Sequence, residues 1–352
     1  MVSTECTAPI AEHHRRQAIL KLLGILLLLV LIVIGAAAYL FYTPYGPTSE
    51  TFVDIAPGTS SKAIAAELQR AGIIRSRYGF DILRLQKEGT LKAGEYRFDH
   101  PVPVSEVYDR LLRGDVYTVA LTIPEGFNIF DIAQAVQTAG FTTRDNFLAA
   151  ERSHTELIAD WTANAPNPPQ SLEGYLFPDT YHFSRHATPE HILAAMVHRF
   201  RQATTQLGIA ESGKDVARTV ILASLIEKEV SQDNERPLVA GVFINRLAKG
   251  MPLATDPTVI YAALLDNRWR GTIYASDLQN LSPYNTYRHP GLPPGPICNP
   301  GVAALKAAIS PAKTDYLYFV SDAAGHSRFS ATLKEHNAKV QDYRQAEKAQ
   351  HH

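Results

Sequence analysis

Residues 22–42 read LLGILLLLVLIVIGAAAYLFY, an uncharged apolar run of roughly 20 residues, the length at which a helix crosses bilayer hydrocarbon with its backbone polar groups satisfied internally. A cleaved signal peptide is the competing reading, and it needs an apolar core of only roughly 7–15 residues before a small-residue cleavage site. Ala36, Ala37 and Ala38 imitate such a site, but the length of the run favours a membrane span. Arg15, Arg16 and Lys21 precede it, and no Lys or Arg follows until Lys62. Basic flanks stay in the cytoplasm, so the N-terminus is expected inside and everything after Tyr42 outside.

The 352 residues exceed what one compact core absorbs, which predicts the span plus two or three folded units. A net charge of -1 with 20% charged residues shows no polybasic excess, and nucleic acid is excluded as a partner on that ground. Cys6 and Cys298 are the two cysteines; with the membrane between them, no disulfide within the chain is expected.

Past a Pro/Gly/Ser/Thr-rich tether at 43–50, TFVDI followed by Pro57-Gly58 and SSKAIAAELQRAGII predicts strand, turn and helix, with Thr59 or Ser60 as N-cap. The pattern returns at a constant offset in LTIPEGFNIFDIAQAVQTAGF, which matches Ile55 to Ile123, Gly58 to Gly126, Ile64 to Ile132, Ala65 to Ala133, Gln69 to Gln137, Ala71 to Ala139 and Gly72 to Gly140. Between the copies, LKAGEYRF reads as a strand and VSEVYDRLLRGD as a helix. Small βα modules of this kind resemble LysM-type sugar-binding units; a plain spacer is the other reading, and the sequence leaves both open. The stretch NAPNPPQ at 164–170 marks a boundary before a longer unit.

The chain has no H-E-x-x-H, no paired C-x-x-C, no G-x-S-x-G and no phosphate loop, so zinc proteases, common serine hydrolases and ATPases recede. Its histidines are scattered, with His13, His14, His351 and His352 at the ends, and no metal is expected. Cys298, without a recognisable His partner, reads as packing. DVARTVILASLIEKEV, residues 215–230, is an apolar helix ending in Glu227 and Glu229. A helix turns about 100° per residue, so these two point to nearly opposite faces and do not form a carboxylate pair on one substrate atom. Glu229 shares a stripe with Leu222, Leu225 and Ile226, and Glu227 sides with Val220 and Ala223. Periodicity does not choose between them, and a helix-end carboxylate paired with Arg or Lys is the ordinary alternative for either.

Six motifs, LEGYLFPDTYHF (172–183), ASLIEKEV (223–230), ERPLVAGVFINRL (235–247), MPLATDPTVIY (251–261), LSPYNTYRHPGLPPGPICNPG (281–301) and DYLYFVSD (315–322), together resemble the MltG (YceG-like) endolytic murein transglycosylase family. The resemblance covers nearly all of the exported chain. It implies an α+β protein with an N-terminal transmembrane helix, LysM-like βα modules and a catalytic domain with a lysozyme-like helical active-site region. The expected divisions are a cytoplasmic tail (1–21), the span (22–42), the tether (43–50), a LysM-like module (51–118), a second strand-turn-helix module (119–165), the YceG-like catalytic domain (171–345) and a tail (346–352).

In that family the second glutamate of the Glu-Lys-Glu motif is catalytic, which places the role on Glu229 and leaves Glu227 as a supporting candidate. Val230 departs from the Thr or Ala that relatives often carry next. The resemblance implies a lyase of the bacterial inner membrane that acts on peptidoglycan glycan strands from the periplasm. Glu229 would protonate the oxygen between N-acetylmuramic acid and N-acetylglucosamine, then deprotonate the muramic C6 hydroxyl as it attacks C1. That intramolecular step requires no cofactor. Its acid role needs a raised pKa, which desolvation by Leu222, Leu225 and Ile226 would supply. Thr255, Asp256, Tyr261, Tyr284, Asn285, Thr286 and Tyr287 are candidate substrate contacts, about half of them expected to be loop architecture; Glu173 ranks below Glu229, as do Asp179 and Tyr181. The resemblance also suggests work beside the cell-wall synthesis machinery. Two rivals stand: a muramidase-type hydrolase using a second carboxylate such as Asp256, and a non-enzymatic glycan-binding scaffold.

Overall fold

The structure, a computed structural model, describes residues 8–163, 169–209, 215–230, 232–322 and 326–350. Most of the boundary expected at 164–170 lies outside them, as do Cys6, His351 and His352. The chain divides into two compact units, Met1–Thr118 and Val119–His352.

The first unit opens with helix α1 (Ala8–Tyr42), whose segment Arg15–Tyr42 has a mean hydropathy of 3.0 in its most apolar window, with 0% of that window buried. A helix apolar on every face and bare of protein has the composition of a membrane span. Then follow β1 (Thr51–Ile55), α2 (Ser61–Arg70), α3 (Arg77–Gln86), β2 (Gly94–Phe98) and α4 (Val104–Arg113). Strands β1 and β2 pair antiparallel, with Val53 opposite Tyr96. Phe80, Tyr96, Phe98 and Tyr108 are sealed in this core, and each such side chain contributes about 1.5–3 kcal/mol by burial. Phe41 at the end of α1 packs on the same core, its carbonyl accepts from Ser105 Oγ at 3.4 Å, and Tyr45 forms an antiparallel bridge with Val102.

The second unit runs β3 (Val119–Thr122), α5 (Ile129–Thr138), α6 (Arg144–Ser153), a 3-10 turn, α7 (Ala159–Thr162), β4 (Thr180–Phe183), α8 (Pro189–Gln206), α9 (Val216–Glu229), α10 (Arg236–Ala248), α11 (Asp256–Leu265), α12 (Ala275–Leu278), α13 (Val302–Ile309), β5 (Tyr318–Ser321), β6 (Ser327–Ser330) and α14 (Leu333–Gln350). Antiparallel pairs β3–β4 and β5–β6 are its sheets. Because β3 takes its partner from Thr180–Phe183, residues 119–163 share one core with residues 171 onward. Helix α9 lies inside that core and packs against α7, α10, α11 and α13. The architecture is mixed helix and sheet with one N-terminal apolar helix.

The internal repeat is visible in the backbone. Gly58 and Gly126 turn at φ 80° and 78°, Gly72 and Gly140 at 74° and 84°, the left-handed region that an L side chain resists. Gln69 Oε1 accepts from Arg77 N at 3.2 Å and Gln137 Oε1 from Arg144 N at 2.8 Å, so each matched glutamine caps the start of the next helix. Ser60 is the N-cap of α2, accepting from Ala63 N.

Candidate active site

Helix α9 starts where Asp215 Oδ1 accepts from Arg218 N at 3.0 Å, a capped start, and stops at Val230, whose backbone is extended. Between them Val220, Ala223, Leu225 and Ile226 are fully buried. Ser224 joins the helix to the 297–301 turn: its Oγ accepts from Ile297 N at 3.1 Å and its carbonyl accepts from Cys298 Sγ at 3.3 Å. Cys298 is fully buried and its thiol pKa is pushed up by desolvation, the environment of a packing residue.

The two glutamates at the end of α9 meet different fates. Glu227 pairs with Arg236 at 2.9 Å, both side chains 5% exposed, and its other oxygen accepts from Gly301 N at 2.9 Å. Arg236 is also held by Asp233 at 3.0 Å. Every part of Glu227 is thus engaged in tying α9 to α10 and to the 297–301 turn. Glu125 lies over Gly301, where any side chain would collide with its carboxyl group, and its pKa is pushed up by desolvation and by the charge of Glu227.

Glu229 is half-buried, and among the described residues no hydrogen bond or ion pair reaches its carboxyl group. Desolvation, reinforced by the negative charge of Asp256 and opposed by Arg246, raises its pKa from 4.5 to about 7. A carboxyl group with that proton affinity and no partner is able to give a proton and take one back near neutrality.

Around it, Asp256 opens α11 and accepts a hydrogen bond from the Tyr287 hydroxyl at 2.7 Å. Arg246, from the last turn of α10, donates to the carbonyls of Leu317 at 2.6 Å and Leu253 at 2.8 Å, and its guanidinium covers the Tyr318 ring at 5.2 Å. Next to Leu253, Ala254 has φ 52°, a left-handed backbone that costs an L residue about 1–3 kcal/mol and that collects at functional sites. Its N–H donates to Thr286 O at 3.1 Å.

The remaining candidates separate from this group. Thr255, the N-cap of α11, is buried, with its Oγ1 unpartnered among the described residues. Thr286 Oγ1 accepts from Thr255 N at 3.0 Å and meets Thr258 Oγ1 at 2.9 Å. Asn285 is fully buried and donates to the carbonyls of Asn280 and Leu278 at 2.7 and 3.1 Å; both residues build the loop. Glu173 is buried and accepts from Tyr261 Oη at 2.9 Å, Ile129 N at 2.8 Å and Asn299 Nδ2 at 2.8 Å. Desolvation raises it to about 8 against those bonds. Tyr261 is spent on Glu173, and half-buried Tyr284 packs on it with ring centroids 5.1 Å apart. Asp179 pairs with Arg199 at 2.7 Å, while Tyr181 Oη donates to Phe177 O at 2.5 Å.

Sequence reasoning did not single out Arg246, Arg236, Gly301 or Asn299. Arg246 and Arg236 stand inside a quoted motif but look like ordinary helix-surface cations, and Asn299 and Gly301 look like turn formers.

The family model described as the YceG-like family matches residues 53–342. The chain is 34% identical over 305 residues to the endolytic murein transglycosylase of Bacillus subtilis, covering 83% of this chain and 84% of that protein. It is 31% identical over 319 residues to the endolytic murein transglycosylase of Streptococcus pneumoniae serotype 2, covering 83% of this chain and 58% of that longer relative. A crystal structure of a YceG-like protein from Listeria monocytogenes superposes with a TM-score of 0.56 at 32% identity, covering 83% of this chain and 99% of that one. A family match running through the first unit, the central helix and the loops that surround Glu229 has one meaning: the chain belongs to the YceG-like family.

Proposed function

We propose that this chain is an endolytic murein transglycosylase, as its relatives are named, and that Glu229 is its catalytic acid and base. One observation carries the reading. Of two glutamates one residue apart at the end of α9, Glu227 is consumed by structure, while among the described residues no hydrogen bond or ion pair reaches the Glu229 carboxyl group, whose pKa is raised to about 7.

The Glu229 carboxyl group gives its proton to the oxygen linking N-acetylmuramic acid to N-acetylglucosamine as the muramic C1–O bond breaks. The resulting carboxylate accepts the proton of the muramic C6 hydroxyl while that oxygen bonds to C1, which restores the acid and leaves a 1,6-anhydro end. Water is neither consumed nor released, and the nucleophile is already part of the substrate. Asp256, fixed by the Tyr287 hydroxyl at 2.7 Å, helps hold the proton on Glu229.

Around this site the reading assigns residues 51–118 as a LysM-like module that binds or spaces the glycan, and the strand-turn-helix module at 119–165, which shares its core with the residues that follow, joins 171–345 in a catalytic unit with a lysozyme-like helical region. Residues 43–50 tether them to a span at 22–42, with residues 1–21 in the cytoplasm and the rest, including the 346–352 tail, in the periplasm. Nascent strands beside the synthetic machinery are its substrate.

Mass spectrometry of peptidoglycan incubated with the full chain tests the proposal. Anhydromuramyl ends from within strands are expected, and Glu229→Gln is expected to cut their formation by about 10²- to 10⁴-fold. Reducing ends from the parent would replace the lytic reading with hydrolysis, and undiminished cleavage by the variant would remove Glu229 from the chemistry.

A further inference from the structure

The first unit carries an apolar stripe that its own core does not use. Helix α3 turns Gly79, Phe80 and Leu83 inward, while Tyr78, Ile82 and Leu85 stand 65%, 42% and 88% exposed. Steps of four and then three residues place these three side chains in one narrow line along the helix, away from the buried face. Large apolar side chains aligned on an exposed face mark a contact surface.

The line starts beside the end of the apolar helix. Ser76 and Gly79 at the head of α3 line one small cavity with Leu40 and Thr43. Arg75, just before the N-cap Ser76, lies over the rings of Tyr39 and Tyr45 at 4.9 and 4.8 Å. Arg77 and Arg84 follow on one flank of the stripe, and among the described residues none of these three arginines has a carboxylate within ion-pair distance. Asp81 is the one acidic residue within the helix. Tyrosines and basic side chains at the end of a span suit the headgroup layer, and a helix with an apolar strip and a basic flank lies in the plane of a bilayer surface.

We propose that α3 is a second membrane contact, with Tyr78, Ile82 and Leu85 seated in the outer face of an anionic bilayer and Arg75, Arg77 and Arg84 on its headgroups. The proposal rests on the reading of α1 as a membrane span. The first unit, already packed on the end of α1 through Phe41 and Tyr45, then also lies against the lipid surface through α3.

Site-specific fluorophores on the full chain decide it. Leu85→Cys, in a Cys6→Ser background with the fully buried Cys298 left unlabelled, is reconstituted into phosphatidylethanolamine–phosphatidylglycerol vesicles containing nitroxide-labelled lipid. The label at 85 is expected to lose most of its emission, as does a label at Leu31→Cys within α1, while one at the exposed Lys62→Cys on α2 stays bright. Adding Ile82→Glu should restore emission at 85. A label at 85 as bright as the one at 62, with quenching at 31, overturns the contact and leaves the span standing. A blue-shifted but unquenched label at 85 overturns it in favour of a protein occupant. Bright labels at both 31 and 85 would remove the span and the contact together.

Discussion

At the scale of single residues, the end of α9 shows how identical side chains acquire different work. Glu227 is predicted to be a stability residue: Glu227→Ala leaves Arg236 buried with only the exposed Asp233 for charge, which should cost about 3–5 kcal/mol, read as a large drop in denaturant midpoint. Glu229 should behave oppositely. Folded, it holds its proton up to about pH 7; unfolded, it releases it near 4.5. The folded state therefore binds more proton between those values, so stability falls as pH rises through that window and stays reduced above it. Glu229→Gln should accordingly match the parent below pH 4.5 and melt higher than it above about pH 7, by about 1–3 kcal/mol. The parent's kcat/KM should fall above about pH 7 as the acid is lost. Little of this contrast was legible in the sequence, because both glutamates have apolar neighbours along the helix. What separates them is Arg236 and Gly301, which come from 9 and 74 residues away. The family resemblance pointed to Glu229 without giving that physical reason.

At the scale of elements, the internal repeat was readable because its signals are local. Glycines at left-handed turns and a glutamine that caps the following helix repeat with the sequence itself. The pairing of β3 with β4 was not, since Thr122 and Thr180 lie 58 residues apart and nothing in either strand names its partner. The loops around Glu229 read as substrate contacts and loop architecture at once; several of these residues are buried, with Asn285 and Thr286 hydrogen-bonded to backbone groups. Gly174 shows how tightly these elements interlock. At φ +88°, an added Cβ would meet Pro296 Cγ at 2.5 Å and Val220 Cγ1 at 2.7 Å, wedging the 172–177 segment away from α9 and from the turn before Cys298. Gly174→Ala should destabilise the second unit by about 1–3 kcal/mol or more and lower kcat with it, measured by thermal melts alongside turnover.

At the scale of the whole molecule, two separate hydrophobic cores predict two unfolding events. Leu68 is fully buried in the first core, and Leu68→Ala should cost about 2–5 kcal/mol. In calorimetry that loss should lower one transition and leave the other, and activity on soluble glycan fragments, in place; a single transition shifting as a whole would show the units to be one cooperative body. The apolar helix α1 was legible from length and composition alone, and a first module at 51–118 was expected from its strand and helix signals, while the residues that seal its core, Phe80 and Tyr108 among them, needed their burial to be seen. The point at which α9 stops matters as much as the side chains around it. Glu229 is its last residue, so it stands at the end of the helix where unpaired carbonyls gather partial negative charge, which disfavours a carboxylate and favours its acid form. Part of the proton affinity of Glu229 is then a property of the main chain, which no exchange of Asp256 or Arg246 would remove.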